Sequence, residues 1–131
     1  MNPLLAAAAF GVFKGVLYGA PTEPHRRFGA SIIAPIIEEA VYRAAPLLAF
    51  GAGYPRGLTA FTFATDHCML EHKQQGLNGA ALATRFADVA AGGLLYEAAY
   101  RQFGFFGAVL AHALHNVGCD VGAQHRLRWG R

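Results

Sequence analysis

Charge is scarce in this sequence. Asp, Glu, Lys and Arg make up 15% of its 131 residues, against the roughly 25% usual in soluble domains, while hydrophobic residues reach 54%. That balance argues for burial in or against a membrane. Mean hydropathy is only +0.28, so a compact, Ala-rich soluble helical bundle is the alternative. The net charge of +3 is spread over turns and the C-terminal tail. No clustered basic stripe is present, which argues against a nucleic-acid surface. Cysteine is limited to Cys68 and Cys119, both in apolar stretches, so buried free thiols are expected rather than a disulfide. The Val/Ile/Thr alternation of half-buried strands is missing, as are internal repeats and low-complexity linkers. One all-helical domain over residues 1–131 is therefore expected.

What is present is a set of apolar segments punctuated by Gly, Pro and charge. They run from about Pro3 to Ala20, Phe28 to Gly51, Gly57 to Leu70, Leu77 to Tyr100 and Phe103 to Val121. Most approach the ~20 residues a helix needs to cross a bilayer, and the third is short. The first stretch lacks a basic leader region, and Pro21 follows its only small-residue cleavage candidate, so Met1 to Ala20 reads as a span and not a removable signal. The expected fold is a multi-span transmembrane bundle of about five helices. Trp129 with Arg126, Arg128 and Arg131 suits an anionic headgroup layer.

Three polar islands interrupt the apolar segments. The first, "IIEEAVYRAAP", holds Glu38, Glu39 and Arg43. At about 100° per residue, Glu39 and Arg43 stand one turn apart on one helix face, and Glu38 points about a quarter-turn away. Arg43 should neutralise Glu39 and leave Glu38 free. On a solvated helix this would be an ordinary charged stripe; inside an apolar span such groups mark a site. In the second island, "FTFATDHCML", Phe63 and His67 are an i,i+4 pair and Asp66 precedes the histidine. In the third, "LAHALHNVGCD", His112 and Asn116 share a face, Asp120 extends it, and His115 lies about 60° aside. Either of the last two islands, alone, is as readily explained by a core histidine or by interhelical hydrogen bonds.

Together the islands read EExxxR (Glu38 to Arg43), FxxxH (Phe63 to His67) and HxxxN (His112 to Asn116). In this order and at these separations they resemble the CPBP family, the Abi-type CAAX-protease and bacteriocin-processing group of glutamic intramembrane endopeptidases. The resemblance covers residues 30–118. It implies hydrolysis of a peptide bond in a membrane-associated or C-terminally anchored substrate, in a bacterial or archaeal-type cell membrane, with the bilayer as a second partner. It implies Glu38 as general base, His67 as its partner in activating water, and His112 with Asn116 as oxyanion stabilisers, supported by Glu39, Arg43 and Phe63. Desolvation of Glu38 would favour its protonated form, which suits a base that must return its proton to the leaving amine.

Other readings stay open. No cofactor is expected, but Glu38, Glu39, His67 and His112 offer the nitrogen and oxygen ligands of a zinc protease, without the HExxH spacing. A cysteine nucleophile lacks a positive environment. A non-catalytic membrane immunity protein could use the same cavity to bind a peptide. Asp66 either orients His67 or pairs with a cation such as Arg85. Glu97 with Arg101 and Arg85 with Asp88 are natural local pairs.

Overall fold

The computed structural model describes residues 1–129. Helix α1 spans Pro3–Tyr18; it starts sharply because the Asn2 side chain accepts from the Leu4 N–H at 2.9 Å and Pro3 needs no donor there. A second rod runs over residues 29–50, with α2 (Ala34–Glu39) and α3 (Ala45–Phe50) each preceded by a π turn, Gly29–Ile33 and Ala40–Ala44. Both π turns have one cause. Pro35 and Pro46 cannot donate to the carbonyl four residues back and their rings would strike it. The chain widens just before each, so that Ala34 N–H bonds Gly29 O and Ala45 N–H bonds Ala40 O.

Helix α4 spans Leu58–Gln75, entered through Gly57 and left through Gly76, both at positive φ. Helix α5, Gly79–Trp129, is broken at Gly104, whose φ of 73° and ψ of −166° belong to glycine alone. Its two halves fold back on each other, bringing Tyr96 onto His112 and Gly92 beside His115. α4 runs antiparallel to the first half: Gly57 bonds Glu97, Ala60 meets Gly93, and Glu71 pairs with Arg85.

α1 lies parallel to the second half of α5, and small residues set their distance. A methyl on Gly11 or Gly15 would collide with the backbone carbonyl of His115 or Cys119, and one on Gly118 or Gly122 with that of Ala8 or Val12. Two four-residue glycine spacings thus interlock backbone against backbone, the packing favoured where apolar side chains gain little by leaving their solvent. At the end of the pair, Arg126 donates to Leu17 O at 3.2 Å and Gly19 O at 2.6 Å, a cation on the last carbonyls of α1. Arg131 lies outside the described residues.

The all-helical expectation and the five apolar segments agree with these rods, the third extending to Gln75. The expected crossings do not follow: among the described residues, no helix is long and apolar enough to cross a membrane. The reasons are local. α1 has 16 residues, about 24 Å at ~1.5 Å each, short of the ~30 Å hydrocarbon core. α4 has 18 residues but carries Asp66, Glu71, His72 and Lys73, and the second rod carries Glu38, Glu39 and Arg43. Large apolar side chains still face outward on every rod, among them Phe13, Ile37, Leu48, Phe61, Leu94 and Phe106.

Candidate active site

Glu39 and Arg43 are fully buried, and Arg43 Nη1 donates to Glu39 Oε1 at 3.1 Å. The same carboxylate oxygen faces His112 Nδ1 at 2.8 Å. Arg43 reaches across to Gly93 O at 3.4 Å, where a Cβ would crowd its Nη2. Two buried charges with hydrogen-bonding neighbours compensate each other; either one alone would cost several kcal/mol.

Glu38 is oriented differently. Its Oε1 stands 3.7 Å from His67 Nε2 and its Oε2 stands 3.5 Å from His112 Nε2. Its side chain is 26% exposed and opens onto a cavity with an imidazole on each side. Burial does disfavour its charged form as expected, but His67 and His112 outweigh that, so the expected rise is corrected and the carboxyl is held below the usual carboxylate range. Both distances exceed a tight direct bond, and a water seated beside either pair, inside the cavity, can bond acid and imidazole together. His67 Nδ1 lies 2.9 Å from Phe63 O, the carbonyl one turn back; as donor there it turns Nε2 to Glu38.

Phe63 is the aromatic centre of the cluster. Its ring lies 4.1 Å from that of His67 and 5.7 Å from that of His112, with the Arg43 guanidinium 4.4 Å above it. Tyr96 stacks on His112 at 4.2 Å and 13°. The FxxxH spacing thus places one ring against the imidazole and against the arginine of a different helix.

Glu38, Phe63, His67, His112 and Asn116 all line one cavity of about 240 Å³, with Lys14, Arg85, Asp88, Tyr96 and His115. Asn116 stands apart from the acid: its Nδ2 donates to Ala30 O at 2.9 Å, tying the last helix to the second rod. An amide nitrogen carries two hydrogens, so the second is available to a ligand. Asp120, one turn further, accepts from Thr22 N–H at 2.7 Å and forms an ion pair with Arg27 at 3.3 Å, and so holds the loop after α1.

Two polar cavity residues, Lys14 and Tyr96, were not singled out by sequence. Lys14 pairs with Asp88 at 2.7 Å, and Arg85 bridges Asp88 at 2.9 Å and Glu71 at 2.6 Å. The Arg85–Asp88 spacing was legible; Lys14 came from a distant helix with no local signal. Asp66 pairs with neither His67 nor Arg85 but accepts from Tyr42 Oη at 2.9 Å. His115 is buried against Phe10 and Tyr96, and its Nδ1 has no protein partner among the described residues. Glu97 and Arg101 pair at 2.9 Å as their spacing implied, and Glu97 also accepts from Thr59 and Gly57. Cys68 and Cys119 are free thiols, and neither lines the cavity. Among the described residues, no three His, Cys, Asp or Glu side chains gather as metal ligands would.

A carboxylate flanked by two imidazoles at the mouth of a polar cavity, in an all-helical frame, is the kind of site that hydrolytic enzymes use. The family model described as type II CAAX prenyl endopeptidase Rce1-like matches residues 20–118, and the chain belongs to that family. Membership makes it, at the general level, a CAAX-type protease, in a family whose members are typically membrane-associated. No curated protein and no solved structure matches the chain.

Proposed function

We propose that the protein is a glutamic-type endopeptidase that hydrolyses a peptide bond near the C-terminus of a membrane-anchored chain. The observation that carries the reading is the position of Glu38 between His67 Nε2 and His112 Nε2, with Glu39 already committed to Arg43 and His112. A water held between Glu38 and His67 gives a proton to the Glu38 carboxylate as its oxygen bonds the peptide carbonyl carbon. The carbonyl oxygen becomes an oxyanion. His112, its ring fixed by Glu39 at Nδ1, turns Nε2 to it as a donor, and Asn116 offers its second amide hydrogen, each donor contributing on the order of 3 kcal/mol. Collapse breaks the C–N bond, and the proton on Glu38 passes to the leaving amine. The new carboxyl and the freed amine balance the consumed water.

No step uses a metal. Membrane association is part of the proposal, supported by the outward-facing Phe13, Ile37, Leu48 and Phe106 and by the backbone-to-backbone contact of α1 with α5. The test is cleavage of a prenylated C-terminal peptide by the purified protein in lipid nanodiscs, wild type against Glu38→Gln. Turnover in the wild type and its loss in the variant are expected; equal turnover would overturn the role of Glu38. Binding of the peptide by the wild type without any cleavage would favour the non-catalytic reading.

A further inference from the structure

Glu38 and His67 form a wall shared by two openings. Behind them is the cavity already described; in front lies a separate groove of about 440 Å³ that runs along α4 and ends at Lys73. Asp66, Met69, Leu70 and Lys73 follow one another at i, i+3, i+4 and i+7, so they line one face of the helix. Tyr42 from the second rod closes the near end, its hydroxyl on Asp66.

We propose that this groove binds the free C-terminal carboxylate of the substrate chain, with Lys73 as its anchor; the inference rests on the endopeptidase reading and adds the residue that measures substrate length. Three observations support it. Lys73 makes no ion pair among the described residues, whereas the cations that line the inner cavity, Lys14 and Arg85, are neutralised by Asp88 and Glu71. The two acids of the groove, Glu38 and Asp66, sit at its other end, so charge orients a carboxylate toward Lys73 and away from the reacting centre. Met69 and Leu70, both exposed, stand between those ends and offer apolar contact to intervening side chains.

The spacing of His67 and Lys73 along α4 sets the scale of the distance from the cut to the carboxylate. His67 and Lys73 are separated by six helical positions, about 9 Å at ~1.5 Å per residue. An extended peptide covers about 3.3 Å per residue, so about three residues fit between the scissile bond and the terminal carboxylate. That is the length left beyond the cysteine of a C-a-a-X terminus. A chain that continues past this point brings no charge to Lys73 and runs out of groove.

The experiment uses the full chain in nanodiscs with a prenylated Cys-Val-Ile-Leu peptide, made as the free acid and as the C-terminal amide. Wild type is expected to cleave the acid with a kcat/KM about fivefold above the amide, the scale of one partly solvated ion pair. In Lys73→Gln that ratio falls toward one, and in Lys73→Arg it is retained. Equal cleavage of acid and amide by wild type, or a ratio unchanged in Lys73→Gln, overturns the anchor. Binding of both peptides to Glu38→Gln, read by fluorescence anisotropy, separates the two proposals. If wild type cleaves neither peptide yet Glu38→Gln prefers the acid, the groove stands and the peptidase fails; equal binding removes the groove.

Discussion

Glu38 and Glu39 are adjacent and chemically alike, yet Glu39 is wholly enclosed with Arg43 and His112 while Glu38 opens to a water-accessible cavity between two imidazoles. The same substitution at each should therefore fail in different ways. Glu38→Gln is expected to lower kcat by 10² to 10⁴, the range of a lost general base, with thermal unfolding unchanged. Glu39→Gln leaves the buried Arg43 without its counter-charge and should cost about 3–5 kcal/mol of stability. Melting of both variants in the same lipid, beside a peptide cleavage assay, checks the contrast; a Glu39 variant as stable as wild type would refute it.

Backbone contact between α1 and α5 predicts a sharp size limit. Gly118→Ala places a methyl against the Ala8 carbonyl and should destabilise by about 1–3 kcal/mol, the usual range for overpacking. Gly29→Ala meets nothing within 4 Å and should be neutral or slightly stabilising, because alanine restricts the unfolded chain. Unequal shifts in melting temperature are the expected readout.

Gly104 turns α5 back on itself at a backbone geometry closed to other residues. Gly104→Ala should cost about 1–3 kcal/mol and loosen the register that stacks Tyr96 on His112. Limited proteolysis near residues 102–106 is expected to speed up in the variant; unchanged cleavage there would argue that the hairpin tolerates the strain.

His115 carries a buried ring nitrogen with no protein partner among the described residues. Replacing such a group with an apolar one of similar shape is usually neutral or favourable. His115→Phe is therefore expected to keep or raise the melting temperature, whereas His112→Phe, which deprives Glu39 of a hydrogen-bond partner, should lower it.

The proposed chemistry needs no metal. Turnover is expected to persist in excess chelator, with no stoichiometric zinc in the purified protein by elemental analysis. Loss on chelation and recovery on adding zinc would restore the ligand reading of Glu38, Glu39, His67 and His112.

Much of the architecture follows from short-range rules. Helical spacing pairs Glu39 with Arg43 and turns Glu38 aside, and the apolar segments, bounded by Gly and Pro, correspond to the five rods. Local pairs such as Arg85 with Asp88 and Glu97 with Arg101 follow from the same periodicity. Hydropathy was the weaker guide: with abundant alanine and interior charge, none of the apolar segments becomes a described helix both long and apolar enough to cross a membrane.

Determined by the sequence alone, then, are helices, their punctuation and which face of each carries the polar groups, because these depend on residues within one or two turns. Only the tertiary structure decided which faces meet. Lys14 reaching Asp88, Tyr42 taking Asp66, Asn116 bonding the Ala30 carbonyl and Tyr96 covering His112 all join residues more than twelve positions apart. Such partners are chosen by close packing of whole rods and by the need to compensate buried charge, and the periodicity of one helix does not say which other helix will meet it.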